Sequence, residues 1–303
     1  MKIKTNKQIL WINFLLILIL TSCGKKQHDF DATGSFEATE VIVSSEGNGR
    51  ILALDLAEGQ ELWEGEHVGV IDSVQLYLSK LQLMKNISSV ESNRPNISAQ
   101  VAATREQLLK QQTERTRIEN LLKAQAATQK QLDDVNSSIA VLERQLAAQL
   151  STLNNSFSSL TAQSSALEIQ IAQIEDMLSK CIVRSPITGT VLAKYAEAGE
   201  LAVVGKPLFK VADLQHVYLR AYFTSDQLST IKLGQPVKVF ADFGGNNRRE
   251  YQGTITWISD KSEFTPKSIQ TKNDRANLVY ATKISIENDG FVKIGMYGEV
   301  VIN

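Results

Sequence analysis

The sequence is poor in the residue types that most often carry chemistry. Two cysteines, Cys23 and Cys181, and three histidines, His28, His67 and His216, lie far apart with no spacing typical of a metal site. No histidine stands in a pattern with a nucleophile, no glycine-rich loop suits a phosphate, and the carboxylates do not cluster. Because 32 Lys and Arg are balanced by 33 Asp and Glu, no basic stretch suits nucleic acid. We therefore expect no enzyme, no catalytic residues, no metal or cofactor, and no nucleic-acid partner.

Long hydrophobic runs are also scarce, and the clearest one lies at the N-terminus. Lys2, Lys4 and Lys7 precede an apolar stretch from Ile9 to Leu20 that only Asn13 interrupts. As a helix this stretch would reach about 18 Å, which is too short for a hydrocarbon core of ~30 Å. The pattern predicts a signal peptide rather than a membrane anchor.

The end of this signal resembles a bacterial lipobox. The run Leu20-Thr21-Ser22-Cys23-Gly24 is similar to sites at which the signal is cut before the cysteine, whose thiol then carries diacylglycerol. The resemblance implies that residues 1–22 are removed, that Cys23 is lipidated, and that residues 23–34 form a tether at a membrane outside the cytoplasm. An ordinary cleavage site with an incidental cysteine is the alternative.

Proline and glycine are both absent from residues 129–178, and this stretch organises the chain. Every seventh residue from position 132 to position 174 is Leu or Ile, which forms one apolar column. A second column beside it begins at Val135 and Leu142 and shifts by one place to Leu150, Phe157, Ile171 and Leu178. Alternating steps of three and four predict a coiled-coil helix of roughly 75 Å. The first column comprises Leu132, Ile139, Leu146, Leu153, Leu160, Leu167 and Ile174.

The preceding segment, residues 73–123, supplies a partner for this helix. Residues 123–127 form a short tip, and Thr128 followed by Gln131 has the spacing of a capping box. Two arms joined by a short turn run antiparallel, which predicts a helical hairpin with a break near Pro95, itself expected in the first turn of the next helix. The apolar marks of the rising arm are Val74, Leu78, Leu81, Ile97, Val101, Leu108, Ile118 and Leu122.

A glycine pattern recurs on both sides of the hairpin. Three glycines return at a constant offset of 140 residues, each beside a hydrophobic strand. This indicates one β unit that is used twice, in which each glycine supplies a positive φ or a close backbone approach. Neither copy can bury a core alone, so we expect the two to pack face to face with the hairpin inserted between them. The glycines are Gly49, Gly59 and Gly65 in the first copy and Gly189, Gly199 and Gly205 in the second.

Residues 213–303 are β-rich again. Short strands, one helix over residues 225–231 capped by Thr224 or Ser225, and a polar loop over residues 259–275 predict a small β-barrel. The fold class is therefore α+β and elongated.

Two β half-motifs around a long hairpin resemble the HlyD-type membrane fusion proteins, the periplasmic adaptors of tripartite efflux and secretion systems. The second half, residues 183–191, is similar to the family strand with Ser185-Pro186 before the turn glycine, and residues 58–72 are similar to the first. The resemblance implies a split lipoyl-like β-sandwich of residues 35–72 and 181–212, a hairpin of residues 73–180 and a barrel of residues 213–303.

The same resemblance implies a site at the hairpin tip. In the family an Arg, a Leu four residues later and a Ser seven after that meet a TolC-type outer-membrane channel. Arg117, Leu121 and Thr128 have this spacing, with Thr in place of Ser. Arg offers a fork of donors, Leu an apolar contact and Thr a helix cap. The alternative is a solvated arginine, a packed leucine and a plain cap.

The resemblance also implies partners and a location. It points to a lipid-anchored periplasmic protein at the inner membrane of a Gram-negative bacterium, paired with an inner-membrane transporter. The barrel end resembles adaptors of ABC exporters, while a resistance-nodulation-division transporter remains the alternative. Self-association, as a hexamer, is implied as well, and we expect the exposed Gln, Ser and Ala flanks of the hairpin to form the ring contact.

Two other functions stay open. A lipoyl-like fold is shared by carrier domains that bear lipoate or biotin on a lysine, and Met84-Lys85-Asn86 has some similarity to a biotin acceptor. Lys85 lies in a helical stretch, so we interpret it as a solvated lysine. The other possibility is a coiled-coil scaffold lipoprotein with no role in transport.

Overall fold

The structure is a computed structural model that describes residues 30–245, 247–264 and 278–302. The expected signal peptide, the lipidation site Cys23 and most of the loop after Phe264 lie outside the described residues. The described chain consists of two β structures and one helical hairpin. The strands before and after the hairpin are β1 (Ala32–Ser44), β2 (Gly49–Leu54), β3 (Glu61–Leu62), β4 (His67–Ile71), β5 (Ile182–Arg184), β6 (Gly189–Lys194), β7 (Leu201–Ala202) and β8 (Pro207–Thr224).

The two glycine-marked copies interlock through strand pairing. Gly49 of β2 pairs with Ala202 of β7, and Gly189 of β6 pairs with Leu62 of β3. These two pairs are equivalent: Gly189 corresponds to Gly49, and Ala202 corresponds to Leu62, at the same offset of 140 residues. The β2–β4 register recurs in the same way between β6 and β8, and the β4–β5 register recurs between β8 and the end of β1. The repeat therefore builds one β unit with approximate twofold symmetry.

A single core fills this β unit. Buried residues from both copies meet in it. Cys181 lies in this core, where burial raises the pKa of its thiol. The fully buried members with the largest side chains are Ile51, Leu62, Ile71, Val191, Leu208 and Phe209.

The remaining strands close a second β structure. They are β9 (Pro236–Asp242), β10 (Arg248–Phe264), β11 (Leu278–Glu287) and β12 (Tyr297–Ile302), in the order β1-β12-β9-β10-β11-β8. Because β8 also pairs with β1, the six antiparallel strands form a closed barrel. Its core contains Phe36, Leu219, Phe223, Ile255 and Ile284, all fully buried.

The barrel begins earlier than the sequence predicts. The first part of β1 pairs with β12, from Ala32 opposite Val300, so residues 32–34 belong to a strand and not to the tether. Residues up to Ala38 form part of the barrel rather than of the first half-unit. Strands β1 and β8 each run through both β structures, with a register shift after Ala38.

Two smaller differences lie in the barrel. The helix expected over residues 225–231 is a single 3₁₀ turn, Gln227–Ser229, and its N-terminal cap is Asp226 with no side-chain hydrogen bond. Residues 259–264, expected in a loop, continue β10 as far as Phe264, which pairs with Leu278. A register shift between Ile258 and Ser262 carries the strand onward where the polar sequence suggested an end.

The hairpin comprises α1 (Val74–Ser92), α2 (Ile97–Lys123) and α3 (Gln129–Ser179). The expected break separates α1 from α2, but Pro95 precedes the helix: Asn96 is the cap, and its side chain accepts a hydrogen bond from the amide of Ala99 at 3.1 Å. At 1.5 Å per residue, the 51 residues of α3 span about 76 Å.

Two polar contacts fix the antiparallel register of the arms. The Lys80 ammonium lies 2.6 Å from the Glu175 carboxylate near the base, and the Thr104 hydroxyl donates to Gln149 at 3.0 Å farther up. Between them, the Arg94 guanidinium lies 5.6 Å from the centre of the Phe157 ring.

The seam of α3 is the predicted one, since every residue of its first apolar column is buried or half-buried. The rising arm uses an equally regular seam that crosses the break. However, Val74, Leu78 and Leu81 are exposed and lie outside it, although they are apolar marks of this arm. The seam positions of the rising arm, including Arg94 in the break, are Leu76, Lys80, Leu83, Ile87, Val90, Arg94, Ile97, Val101, Thr104, Leu108, Gln111, Arg115, Ile118 and Leu122.

Candidate functional site at the hairpin tip

The tip is a closed turn held by backbone hydrogen bonds. Gln125 has a left-handed backbone with φ 60°, the one positive φ at a non-glycine residue in the described chain. Its amide donates to the carbonyl of Leu122 at 2.9 Å, and the amide of Ala126 donates to that of Leu121 at 2.8 Å. This pair of bonds is a Schellman motif, which satisfies the last carbonyls of α2.

The descending helix starts with the predicted capping box. The amide of Thr128 donates to the side-chain oxygen of Gln131 at 2.8 Å, while the Thr128 hydroxyl accepts from the Gln131 amide at 3.4 Å. The cap satisfies two groups that a helix start would leave without partners. Both ends of the turn are thus tied down without a glycine.

Arg117 lies on the exposed surface of α2, six residues and about 9 Å before the helix ends. Its guanidinium makes two hydrogen bonds to the Glu114 carboxylate, at 3.0 and 2.9 Å. These bonds and the charge of Glu114 raise the pKa of Arg117. A bidentate pair fixes the plane of the guanidinium and leaves part of the fork turned toward solvent.

The structure places Arg117 and Leu121 in the last turns of α2 and Thr128 at the N-terminal cap of α3. Arg117 and Thr128 are exposed, and Leu121 is half-buried, with its carbonyl tied into the turn. Sequence reasoning missed Glu114 and Gln125. The first is readable from its spacing, three residues before an arginine on a helix. Gln125 gave no signal, because left-handed caps usually carry glycine or asparagine.

The glycines of the β unit divide into two kinds. Gly59, Gly65, Gly199 and Gly205 have φ between 78° and 94°. At the other two positions space is the constraint: a Cβ on Gly189 would lie 2.3 Å from the carbonyl oxygen of Ala212, and one on Gly49 would lie 2.6 Å from that of Asp72.

At the joint between the β unit and the barrel, β8 has three extra residues, 214–216, opposite the step from Ala38 to Thr39 of β1. The carboxylate of Asp213 accepts from the amides of Gln215 and His216 at 3.0 and 3.1 Å and lies 2.8 Å from the imidazole Nδ1 of His216. From the barrel side, the side-chain amide of Asn288 donates to the carbonyl of Leu214 at 2.8 Å. Polar contacts of one segment therefore hold the joint.

Neither a metal cluster nor a membrane span is found in the described part of the chain. Residues 30–245, 247–264 and 278–302 contain no group of three His, Cys, Asp or Glu side chains placed to hold a metal ion. No helix within these ranges combines the length and the apolar character needed to cross a bilayer.

Comparison with known sequences gives relatives but no matching family model. A UPF0194 membrane protein of Yersinia pseudotuberculosis is 26% identical over 301 residues, which cover 90% of this chain and 89% of the relative. A UPF0194 membrane protein of Citrobacter koseri is 25% identical over 288 residues, covering 87% and 85%. The similarity therefore spans nearly the whole length of both proteins.

Comparison with solved structures finds proteins with a similar fold. MacA from Actinobacillus actinomycetemcomitans superposes with a TM-score of 0.53 at 20% identity, covering 89% of this chain and 76% of MacA. The membrane fusion protein Spr0693 from Streptococcus pneumoniae R6 gives a TM-score of 0.53 at 14% identity, covering 89% and 97%. The resemblance to HlyD-type membrane fusion proteins that the sequence motifs predict is confirmed at the level of the fold.

Proposed function

We propose that this protein is a periplasmic adaptor that links an inner-membrane transporter to an outer-membrane channel. One observation carries the proposal: a compact β unit is cut in two, and a hairpin of about 76 Å is spliced into the cut. The hairpin returns its chain to the same core, so it extends the molecule in one direction without forming a domain of its own. A rod on a compact base suits a protein whose task is to bridge a distance.

The tip is the part that would meet the channel, of the TolC type. Its backbone is closed by the Schellman motif and the capping box, so it would present a preformed surface. Arg117 offers a guanidinium already oriented by Glu114, and Leu121 and Thr128 flank it on the two arms. Carbonyls or carboxylates of a partner could take the free edge of this fork.

The other end would sit at the inner membrane. Lipid on Cys23 would anchor the chain, and the barrel with the β unit, which we take as a lipoyl-like domain, would contact the transporter, preferentially an ABC exporter. A carrier role is less favoured by the geometry. Lys85, the candidate carrier lysine, lies within α1 and not at a β-turn between the two copies.

A photo-crosslinking amino acid at position 121 tests the channel contact in cells that produce the full chain. We expect adducts with an outer-membrane channel, identified by mass spectrometry. Arg117→Glu is expected to remove these adducts and to abolish export of the compound that the deletion strain retains. The matched control is Arg105→Glu on the same helix, where the arginine is exposed and lies farther from the tip.

Arg117 is exposed and its ion pair with Glu114 is a surface pair, so we expect the charge reversal to leave the protein folded. Normal export and unchanged adducts in Arg117→Glu cells would contradict the proposal. Intact-mass measurement of the mature protein separates the carrier alternative, because diacylglycerol on Cys23 fits the adaptor and lipoate or biotin on a lysine does not.

A further inference from the structure

The ribbon formed by β10 and β11 ends in two open apolar side chains. Phe264 and Leu278 pair directly and are 80% and 49% exposed. Residues that stand directly opposite each other project from the same face of a ribbon, so these two side chains lie side by side. Neither belongs to the barrel core, and Phe264 is the most exposed of the large hydrophobic residues that the structure describes.

A second exposed phenylalanine of the barrel shows what is unusual here. Phe291 is 60% exposed, but the Arg249 guanidinium lies 4.7 Å from the centre of its ring and covers one face. Within the described residues, no cation or second ring lies against Phe264. Phe264 and Leu278 therefore form a small uncovered apolar tip, which we call the ribbon end.

The ribbon end lies at the end of the barrel where the chain enters it. Strand β1 starts at Ala32, and the next residue, Thr33, pairs with Tyr222 of β8. Tyr222 pairs in turn with Ala281 of β11, which is three residues, or about 10 Å, from Leu278. From this end β1 runs through the barrel to the joint with the β unit. The ribbon end therefore lies at the opposite end of the barrel from the β unit, which carries the hairpin.

The expected lipid site is close to this end of the barrel. Phe30, the first residue that the structure describes, stands seven positions after Cys23. A fully extended chain spans at most about 3.6 Å per residue, so lipid on Cys23 would lie within about 25 Å of Phe30. The anchor that we propose would therefore hold this end of the barrel at the membrane surface, and the ribbon end with it.

We propose that the ribbon end contacts the lipid surface of the inner membrane, with both side chains in the interfacial layer of the bilayer. Phenylalanine and leucine are typical of protein surfaces that bury their apolar side in this layer. Lipid on Cys23 alone would limit the distance from the membrane but not the angle. A second contact also fixes the direction of the barrel and of the hairpin beyond it. The inference deepens the proposed function, on which it rests, by adding a second membrane contact.

A photo-crosslinking amino acid at position 264 tests this contact in cells that produce the full chain. We expect adducts whose added mass equals that of a phospholipid of the inner membrane, and the same adducts from position 278. Position 291 is the matched control, because Phe291 is exposed in the same barrel but follows the far end of β11, a strand of about 30 Å. Lipid adducts are not expected there.

A charge at the ribbon end provides a second measurement. With the crosslinker at position 278, Phe264→Asp is expected to lower the yield of lipid adducts several-fold, and Phe291→Asp to leave it unchanged. Protein adducts in place of lipid at position 264, no adducts at all, or equal lipid yields from positions 264 and 291 would each overturn the inference. An unchanged yield in Phe264→Asp would do the same. Channel adducts from position 121 and the acyl group on Cys23, measured in the same cells, show whether the adaptor function stands when the inference falls.

Discussion

An alanine methyl on Gly189 would lie 2.3 Å from the carbonyl oxygen of Ala212, where β6 passes β8. No flexible side chain can move aside to relieve this contact, because both groups belong to paired backbones. The same relationship joins Gly49 to Asp72 at 2.6 Å in the other copy. Glycine is therefore required at these two places by lack of space.

Gly189→Ala is expected to destabilise the protein by more than about 2 kcal/mol, since the strands must separate to admit the methyl group. The control is Gly199→Ala, at which φ is 94° and nothing lies within 4 Å of the added Cβ. There only the left-handed backbone is penalised, by roughly 1–2 kcal/mol. Urea unfolding of both variants checks the order, and equal losses would contradict it.

The repeat was predictable because each copy needs a glycine at the same three positions, for a positive φ or for a close backbone contact. These requirements are visible in the sequence as three pairs of glycines with an offset of 140 residues. The sharing of β1 between the β unit and the barrel was not predictable in this way. The inward-facing positions change from even to odd numbers between Ala38 and Val41, but no glycine or proline stands there, so no turn signal marks the point where the strand passes from one core to the other.

Gln125 offers a second prediction, at the tip. Its φ of 60° suits glycine better than glutamine, so Gln125→Gly is expected to stabilise the closed turn by up to about 1 kcal/mol. Slower amide hydrogen exchange at Gln125 and Ala126, whose N–H groups make the Schellman bonds, is the measurement. Gln125→Ala is the control, because alanine keeps the penalty. Faster exchange in the glycine variant would mean that the lost side chain holds the turn.

The rising arm shows where apolar spacing misleads. Val74, Leu78 and Leu81 have the three-and-four spacing of a packed stripe, yet the packed stripe holds Leu76, Lys80 and other residues two places along. Both faces of α1 are apolar near the base, and periodicity alone cannot tell which one faces α3. In α3 the choice was clear, because one apolar column is unbroken through seven heptads and the opposite face, apart from the exposed Val141 and Ile169, is polar or small.

Ser164 interrupts the second apolar column of α3 and supplies a third prediction. It is buried, and its hydroxyl has no hydrogen-bond partner in the structure. Ser164→Ala should raise the free energy of unfolding, because an unsatisfied buried hydroxyl costs about 1–3 kcal/mol. Ser165→Ala is the matched control, since it brings the same gain in helix propensity, about 0.5 kcal/mol, at an exposed position. A gain no larger at position 164 than at 165 would show that the hydroxyl is solvated.

Asp213 supplies the last prediction, a pH dependence at the joint between the β unit and the barrel. Partial burial acts to raise the pKa of this carboxyl group. The hydrogen bonds from the His216 side chain and from the amides of His216 and Gln215 outweigh the effect of burial, so the pKa lies below its usual value. A lowered folded-state pKa stabilises the fold above the unfolded value of about 3.9, and this contribution is lost as the pH falls through the folded-state pKa.

Asp213→Asn keeps an oxygen that can accept from the two amides and removes the charge. We therefore expect the variant to be less stable than the parent at neutral pH, and the difference to shrink as the pH falls below about 4. Urea unfolding across that range is the measurement. Asp226→Asn is the control, because that side chain makes no capping hydrogen bond at the 3₁₀ turn. A difference that stays constant down to acid pH would show that shape, and not charge, holds the joint.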